Sequence, residues 1–422
     1  MRLLVSRSEI GGTLSASPSK SYTHRAMMLA LLSKGTSRLD NVLLGGDTLA
    51  TLNAVRKLGG YVTFEGERCL IEGGNLICPD DIINADNSGT TIRMVAGIAS
   101  LIPCYTVLTG DESIRRRPMQ PLISALTELG AECRSTRGNG LAPLIVKGPN
   151  TGRETHIPGD ISSQFISSLL ISSPLKEVDT DIHITTDLKS RPYVEITMDM
   201  MSRFGTECSE SDGTFHVPGG QSYRAQDYVV PGDFSSAAFP LAAGALAGRA
   251  TIINLDPKDR QGDRTFIEIL KSFGASVTQS EGAVTVGSAP LIGTQIDLAD
   301  APDLFPIVAV VATQARGVTT IFNAEHVRYK ESDRISATVK FLKDMGAEVE
   351  EKQDGCHIRG PCRLKGAQVE PMADHRILMA AAVAALVAEG RTSIGDGDCF
   401  KISYPGFVRD MVSLGAKMEV QL

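Results

Sequence analysis

Phe273-Gly274-Ala275-Ser276-Val277 sets the architecture of this chain, because its pattern recurs along the whole length. A large apolar residue, a glycine and a small residue lead into a β-type segment each time. The glycines of the pattern, Gly59, Gly130, Gly205, Gly274, Gly346 and Gly415, are separated by 71, 75, 69, 72 and 69 residues. Each follows a helical pattern, which is typical of a glycine that ends a helix before a strand. The chain is therefore predicted to contain six copies of one structural unit.

A second helix is predicted in each copy, opening at an acidic or hydroxyl residue. The expected starts lie near Ser19, Asn87, Ser162, Asp233, Asp303 and Asp374. A short β-rich segment separates the two helices, and two strands complete the copy. Three copies per domain suit 422 residues better than a solenoid, whose repeats usually run to roughly 20–50 residues. The break between the two domains is expected near Tyr228-Val229-Val230-Pro231-Gly232.

Composition is ordinary for a globular protein, and the formal charge of −7 argues against nucleic acid or an anionic membrane as the main partner. No apolar run reaches the length of a membrane span. Residues 1–5 pass directly into polar sequence, leaving no room for a signal peptide, so a cytoplasmic protein is expected. The eight cysteines are scattered without a Cys-x-x-Cys motif, which predicts reduced, mostly buried thiols.

One predicted helix start combines hydroxyl groups with two cations. In residues 17–25, Lys20 and Arg25 flank a hydroxyl-rich run that precedes an apolar helix. The five-residue spacing puts Lys20 on the loop and Arg25 in the first turns. A helix N-terminus with two cations favours an anion. On this stretch alone, a capped surface helix with two solvated charges is the better interpretation.

Other helix starts carry similar chemistry. Gly89 has no side chain, so a ligand can approach the backbone closely there. Each such start alone is more often a plain N-cap, but their recurrence suggests helix N-termini that converge on an anion. Residues 330–334 fit a salt-bridged surface or, in a cleft, a general acid or base at Glu331 with Arg334 as a carboxylate clamp. In the plainest interpretation Asp303 is a helix cap and His375 is a capped, partly buried histidine.

Several familiar catalytic motifs are missing from the sequence. There is no P-loop, no Gly-x-Gly-x-x-Gly turn after a strand and no Gly-x-Ser-x-Gly elbow. These absences disfavour ATPases, dinucleotide-dependent enzymes and α/β-hydrolases. The remaining expectation is a site without metal or cofactor, rich in Lys, Arg and Ser and containing a few acids.

Taken together, these motifs resemble those of the 5-enolpyruvylshikimate-3-phosphate synthase family, in order and along the whole chain. The resemblance is carried by Pro18-Ser19-Lys20-Ser21 with Arg25, Asn87-Ser88-Gly89-Thr90 with Arg93, Arg117-Pro118, Ser162-Ser163-Gln164-Phe165, Ser190-Arg191-Pro192-Tyr193, Gly232-Asp233-Phe234-Ser235-Ser236, Asp374-His375-Arg376 and Lys401. Its most specific piece is Val327-Arg328-Tyr329-Lys330-Glu331-Ser332-Asp333-Arg334.

The resemblance implies an α/β (α+β) fold, a two-lobed inverse α/β barrel built from six βαβαββ units, three per lobe. Residues 1–13 and 230–422 would form the first lobe and residues 14–229 the second, with hinges near 13–17 and 227–232.

The implied reaction moves the enolpyruvyl group of phosphoenolpyruvate to the 5-hydroxyl of shikimate 3-phosphate through a tetrahedral intermediate, releasing phosphate. It belongs to the shikimate pathway of aromatic amino acid biosynthesis. It needs no metal or other cofactor, and the family is the target of glyphosate, which competes with phosphoenolpyruvate. A monomer with these two small-molecule partners is expected, closing on them to expel water.

The resemblance also assigns site residues. Those implied for shikimate 3-phosphate are Lys20, Ser21, Arg25, Ser162, Ser163, Gln164, Ser190, Asp303, His326 and Lys330. Those implied for phosphoenolpyruvate are Lys20, Gly89, Arg117, Gln164, Arg334, Arg376 and Lys401. Asp303 is expected to take the proton of the 5-hydroxyl and Glu331 to protonate the methylene carbon, with Lys20 and Lys401 assisting.

Two departures and two alternatives accompany this interpretation. His326 stands where many members have asparagine, and Ser88 replaces a usual alanine beside Gly89. The related UDP-N-acetylglucosamine enolpyruvyl transferases usually carry a reactive cysteine before their Arg-Pro, and residues 110–117 contain none, which disfavours that activity. The other alternative is a non-catalytic repeat scaffold, which predicts varied polar residues at the helix starts.

Overall fold

The computed structural model describes residues 1–421, which divide into two compact units. Residues Met1–Ser19 and those from Pro231 onward form the first, here called the discontinuous unit. Residues Lys20–Val230 form the second, the continuous unit. The chain therefore crosses at 19–20 and 230–231, whereas the sequence placed the lobe boundaries at 13–14 and 229–230.

The described residues contain twenty-four strands and twelve α-helices. The strands are β1 (Arg2–Ser6), β2 (Ile10–Ser15), β3 (Gly35–Asp40), β4 (Tyr61–Glu65), β5 (Arg68–Gly73), β6 (Ile83–Asn84), β7 (Thr106–Thr109), β8 (Glu132–Ser135), β9 (Leu144–Lys147), β10 (Glu154–Ile157), β11 (Thr180–Ile184), β12 (Ser209–Ser211), β13 (Thr214–Val217), β14 (Asp227–Val229), β15 (Gly248–Ile253), β16 (Ser276–Ser280), β17 (Ala283–Gly287), β18 (Gln295–Asp297), β19 (Gly317–Phe322), β20 (Glu348–Lys352), β21 (Gly355–Gly360), β22 (Gln368–Val369), β23 (Arg391–Ile394) and β24 (Lys417–Gln421). The helices are α1 (Lys20–Leu32), α2 (Gly46–Lys57), α3 (Gly89–Ala99), α4 (Gln120–Glu128), α5 (Ser163–Ser172), α6 (Arg191–Arg203), α7 (Phe234–Ala247), α8 (Phe266–Ser272), α9 (Phe305–Ala312), α10 (Arg334–Asp344), α11 (His375–Ala385) and α12 (Phe407–Ser413).

Six four-stranded sheets share one topology among the described residues. In the sheet β6-β7-β9-β8, for example, β6 and β7 are parallel and the other neighbours are antiparallel. The sheets β10-β11-β13-β12 and β14-β3-β5-β4 complete the continuous unit. Sheets β16-β17-β15-β2, β18-β19-β21-β20 and β22-β23-β1-β24 belong to the discontinuous unit, so both units contain three βαβαββ copies. The predicted fold class is confirmed.

Three helices form the centre of each unit. In the continuous unit α1, α3 and α5 are almost wholly buried and contact one another or their neighbours. In the discontinuous unit α7, α9 and α11 pack together in the same way. Helix α9 shows the reason in its sequence, since every residue of Phe305–Ala312 is buried and a helix that is apolar all round cannot face water.

The six glycines of the repeat lie at the turns that the sequence predicted. All of them have positive φ, between 89° and 106°, directly after a helix and before a strand. Glycine adopts this left-handed conformation without the steric cost that a Cβ would add. The residue before each glycine is a buried apolar one, such as Leu58 or Phe273, which anchors the helix end in the core.

One cysteine prediction is wrong. Cys78 and Cys104 form a disulfide between two loops of the continuous unit, with Cα atoms 6.0 Å apart. They are 26 positions apart in the chain, so the folded loops rather than the local sequence bring them within disulfide range. The other six cysteines are free thiols, three of them buried. None of the helices in residues 1–421 is both long and apolar enough to cross a membrane.

Candidate functional site

The N-terminus of α3 is lined by two of the predicted site residues. The helix begins at Gly89, and the preceding Ser88 caps it by accepting a hydrogen bond from the backbone N–H of Thr91 at 3.1 Å. A Cβ placed on Gly89 would lie 2.8 Å from Nη1 of Arg117 and 3.6 Å from Oε1 of Gln164. The structure therefore brings Gly89, Arg117 and Gln164 together, at a helix end that favours anions.

Arg93 connects these groups to α5. Its Nη1 donates to Oε1 of Gln164 at 2.7 Å and to Oγ of Ser162 at 3.1 Å. The amide nitrogen of Gln164 donates in turn to Oγ1 of Thr90 at 2.8 Å. The guanidinium also lies over the ring of Phe165, 4.9 Å from its centre. These contacts hold the Gln164 amide in one orientation beside α3.

Arg117 is held in place by neutral oxygens. Its side chain is buried, and Nη2 donates to Oδ1 of Asn87 at 3.2 Å and to Oγ of Ser113 at 3.0 Å. Asn87 is itself fixed, because its amide donates to Asp111 at 2.7 Å. A guanidinium held this way keeps its planar set of donors pre-oriented for a carboxylate or phosphate.

Lys20 is the first residue of α1, whereas the sequence placed it on the preceding loop. Its Nζ lies 2.7 Å from Oδ2 of Asp47 in the first turn of α2, and both side chains are largely buried. Sequence reasoning missed Asp47, although an acid in a helix's first turn was a usable signal. Burial, Lys20 and Arg25 all lower the pKa of the neighbouring His24, so this histidine is neutral at pH 7.

Arg25 is a buried cation with uncharged partners. It donates to the hydroxyls of Thr197 at 2.8 Å and Ser167 at 3.3 Å. It also donates to the carbonyl oxygens of Ser21 and Tyr193, at 3.0 and 2.9 Å. Burial lowers the pKa of Arg25 to about 10, which leaves it charged near neutral pH. The positive charge of Arg25 is therefore held by hydroxyl and carbonyl oxygens and not by a carboxylate.

Two predicted serines lie at helix starts of the same unit. Ser163 is the first residue of α5 and is buried. Ser190 precedes α6 with φ 56° and ψ 35°, a left-handed conformation that a non-glycine residue rarely adopts. Such local strain persists only where the surrounding structure holds it, and it occurs often at ligand sites.

In the discontinuous unit, Asp303 bridges two arginines. It lies on a short 3-10 segment before α9, and its Oδ1 accepts from Nη1 of Arg334 at 2.7 Å. Its Oδ2 accepts from Nη2 of Arg376 at 2.7 Å, and Nζ of Lys330 is 4.0 Å away. Burial alone would raise the pKa of Asp303, but Arg376, Arg334 and Lys330 outweigh it and hold the pKa well below its usual range.

Arg334 is the centre of this ion-pair cluster. Its side chain is 1% exposed and contacts three carboxylates, those of Asp303, Glu331 at 2.5 Å and Asp374 at 2.9 Å. Burial opposes its charge, yet these carboxylates raise the pKa of Arg334 well above its usual value. Asp374 also caps α11 by accepting from the backbone N–H of Arg376 at 2.9 Å. Arg334, Glu331 and Arg376 are therefore brought together around Asp303 and Asp374.

Asp263 adds a buried carboxyl that the sequence analysis missed. It accepts a short hydrogen bond from Ser235, near the start of α7. Burial and the nearby charge of Asp303 raise the pKa of Asp263 to about 7, against an opposing effect of Arg376. A buried acid beside a second carboxylate retains its proton more easily. Gln261-Gly262-Asp263 carried no signal beyond an ordinary turn.

Two predicted residues lie outside the Arg334 cluster. Lys401 is on the short 3-10 segment Cys399–Ile402, which packs against α11, and its exposed Nζ is 3.9 Å from Asp398. His326 is buried on the segment Glu325–Tyr329, ahead of Lys330. No group of three or more His, Cys, Asp and Glu side chains in residues 1–421 is arranged to hold a metal ion.

Comparison with known proteins identifies the family of this chain. The family model described as EPSP synthase (3-phosphoshikimate 1-carboxyvinyltransferase) matches residues 5–411. The chain belongs to the EPSP synthase family. The resemblance drawn from the motifs is thereby confirmed, and it is favoured over the UDP-N-acetylglucosamine enolpyruvyl transferase alternative.

Individual relatives also match this EPSP synthase family member along nearly its whole length. The 3-phosphoshikimate 1-carboxyvinyltransferase of Methanocorpusculum labreanum is 52% identical over 422 residues, covering 99% of this chain and 100% of that protein. The protein of the same name from Methanocaldococcus jannaschii is 46% identical, covering 99% of both chains. An EPSP synthase structure from Acinetobacter baumannii has a TM-score of 0.84 at 26% identity and covers 100% of both chains.

Proposed function

We propose that this chain transfers the enolpyruvyl (carboxyvinyl) group of phosphoenolpyruvate to the 5-hydroxyl of shikimate 3-phosphate and releases phosphate. The observation that carries the proposal is the match of the family model over residues 5–411. The relatives that bear the enzyme's name over the full length of the chain support it. The proposed pathway role is in the shikimate route to chorismate and the aromatic amino acids.

The proposed binding residues are those predicted from the sequence. Shikimate 3-phosphate is bound by Lys20, Ser21, Arg25, Ser162, Ser163, Gln164, Ser190, Asp303, His326 and Lys330. Phosphoenolpyruvate is bound by Lys20, Gly89, Arg117, Gln164, Arg334, Arg376 and Lys401. The contacts within each unit support these roles, because buried guanidinium groups and helix N-termini suit phosphate and carboxylate ligands. In the continuous unit the support comes from Arg25 and Arg117, which donate hydrogen bonds to neutral oxygens such as those of Thr197 and Asn87.

The proposed chemistry is an addition followed by an elimination. In the addition, Asp303 takes the 5-hydroxyl proton as the hydroxyl oxygen bonds to C2 of phosphoenolpyruvate, and Glu331 gives a proton to C3. In the elimination, C3 returns a proton to Glu331 and the bond from C2 to the phosphate oxygen breaks, which restores the double bond and releases phosphate. Lys20 and Lys401 assist by stabilising negative charge on the phosphate as it leaves.

We propose further that the chain works as a monomer in the cytoplasm and needs neither a metal nor a redox cofactor. The chemistry above requires only proton transfers and the stabilisation of anions. Lysine, arginine and carboxylate side chains supply both.

The decisive experiment is a phosphate-release assay with purified protein in the presence of EDTA. Phosphoenolpyruvate with shikimate 3-phosphate is expected to yield one phosphate per acceptor consumed. Phosphoenolpyruvate with UDP-N-acetylglucosamine is expected to yield none. Release with the sugar nucleotide alone would instead support the rival transferase, and release with neither acceptor would leave the chain a binding scaffold.

Replacing Gly89 with alanine is expected to raise the KM for phosphoenolpyruvate by about 10-fold, because the new methyl group lies 2.8 Å from Nη1 of Arg117 and pushes the guanidinium away. Steady-state kinetics with varied phosphoenolpyruvate measure this change. Gly11→Ala is the matched control, since a Cβ on Gly11 meets nothing within 4 Å. Equal KM values in the two variants would argue against a ligand beside Gly89.

A further inference from the structure

The carboxylate of Asp303 makes contacts that resemble those of a bound ligand. Its two oxygens accept from Nη1 of Arg334 and Nη2 of Arg376, each at 2.7 Å. The two arginine side chains are 1% and 5% exposed, whereas that of Asp303 is 19% exposed. Guanidinium groups hold carboxylate and phosphate ligands with this kind of paired N–H donor.

We infer that Asp303 is an internal ligand of an anion seat formed by Arg334 and Arg376, and that an external carboxylate or phosphate competes with it for these two guanidinium groups. The inference rests on the proposed function only in taking phosphoenolpyruvate as the external anion.

An external anion can displace Asp303 from the two arginines more easily than it can displace Asp374. Asp374 is completely buried and caps α11 through the backbone N–H of Arg376, so moving it would uncover a helix end. Asp303 lies on a 3-10 segment of three residues, and its contacts are with the side chains of Arg334, Arg376 and Lys330. Those side chains can exchange one carboxylate for another without loss of backbone hydrogen bonds.

The competition has a consequence for proton transfer. Arg376 and Arg334 keep the pKa of Asp303 low, which makes it a weak base while they hold it. When an external anion pairs with the two arginines, the carboxylate of Asp303 loses that stabilisation and its proton affinity rises. Asp303 therefore becomes an effective base for the 5-hydroxyl of shikimate 3-phosphate when phosphoenolpyruvate occupies the anion seat.

The test is a binding measurement by isothermal titration calorimetry with oxalate and, separately, phosphoenolpyruvate. Asp303→Asn is expected to bind both anions about 10- to 100-fold more tightly than the unaltered protein, because the internal competitor has lost its charge. Asp344→Asn is the matched control, since it removes one negative charge from an exposed pair with Lys340 in the same unit. In an Arg376→Gln background the gain from Asp303→Asn is expected to vanish.

The inference is overturned if Asp303→Asn binds oxalate no more tightly than Asp344→Asn does. Asp303→Ser is the second variant, so that a folding defect in one does not decide the result; circular dichroism monitors both. Oxalate cannot undergo the transfer reaction, so its affinity reports the anion seat alone. Phosphate release by the unaltered protein tests the proposed function separately, and either result can fail without the other.

Discussion

Asp303→Ala is expected to lower kcat by about 10²- to 10⁴-fold, the range that removal of a general base usually produces. The variant loses the group that takes the 5-hydroxyl proton, yet shikimate 3-phosphate is expected to bind still, because most of its proposed contacts are elsewhere. Phosphate-release kinetics combined with titration of shikimate 3-phosphate measure both effects. The fold is expected to persist, since Arg334 keeps Glu331 and Asp374 as partners.

The control for this variant is Asp344→Ala, which removes an exposed carboxylate of the same unit. It is expected to keep full turnover. Undiminished kcat in Asp303→Ala would remove Asp303 from the mechanism and transfer the role of base to another group.

Lys20→Met is expected to reduce kcat/KM for both substrates by about 10³-fold. The substitution removes a cation that is proposed to contact both substrates, and a lost charge-assisted contact costs about 2–5 kcal/mol. It also leaves Asp47 as a largely buried carboxylate without its 2.7 Å partner, so the thermal midpoint is expected to fall. Steady-state kinetics and calorimetry follow the two effects.

The matched control is Lys57→Met, which breaks a pair of the same length with Asp81 at a more exposed position of the same unit. It is expected to change neither activity nor stability appreciably, because exposed ion pairs contribute little. The double variant Lys20→Met/Asp47→Asn is expected to regain stability but not activity. Similar kinetics for Lys20→Met and Lys57→Met would show that Lys20 has no role in the reaction.

The two units share a topology but differ in the groups that hold their buried arginines. In the continuous unit, Arg25 and Arg117 are held by hydroxyl, amide and carbonyl oxygens. In the discontinuous unit, Arg334 is surrounded by Asp303, Glu331 and Asp374. An anion that approaches Arg25 or Arg117 therefore meets guanidinium groups that donate to neutral oxygens, whereas one that approaches Arg334 must compete with resident carboxylates.

Local sequence signals predicted the repeated elements well. A glycine with positive φ ends a helix in every copy, because other residues pay a steric cost in that conformation. Helix starts at Ser88, Ser162 and Asp374 were equally visible, since side chains that accept from the first N–H groups are typical of N-caps. The motifs at these starts also carried the resemblance to the family.

Ion pairing and cysteine state were much harder to predict. Nothing near Lys20 in the chain indicates that Asp47 will be its partner, because two helices must pack before the atoms meet. Asp263 resembled any turn acid, and only burial near Asp303 gives it an unusual pKa. The disulfide between Cys78 and Cys104 likewise depends on where two loops fold.

The six-copy architecture, the helix starts and the family could all be predicted from the amino-acid sequence, because they depend on backbone preferences and on motifs that are contiguous in the chain. The pairing of the charges, in contrast, depends on how the chain folds. Arg334 meets Asp303 and Asp374 across 31 and 40 residues, and the strength of such contacts depends on distance and burial that no local pattern encodes. The balance between positive charge held by neutral oxygens and positive charge held by carboxylates is therefore a property of the fold.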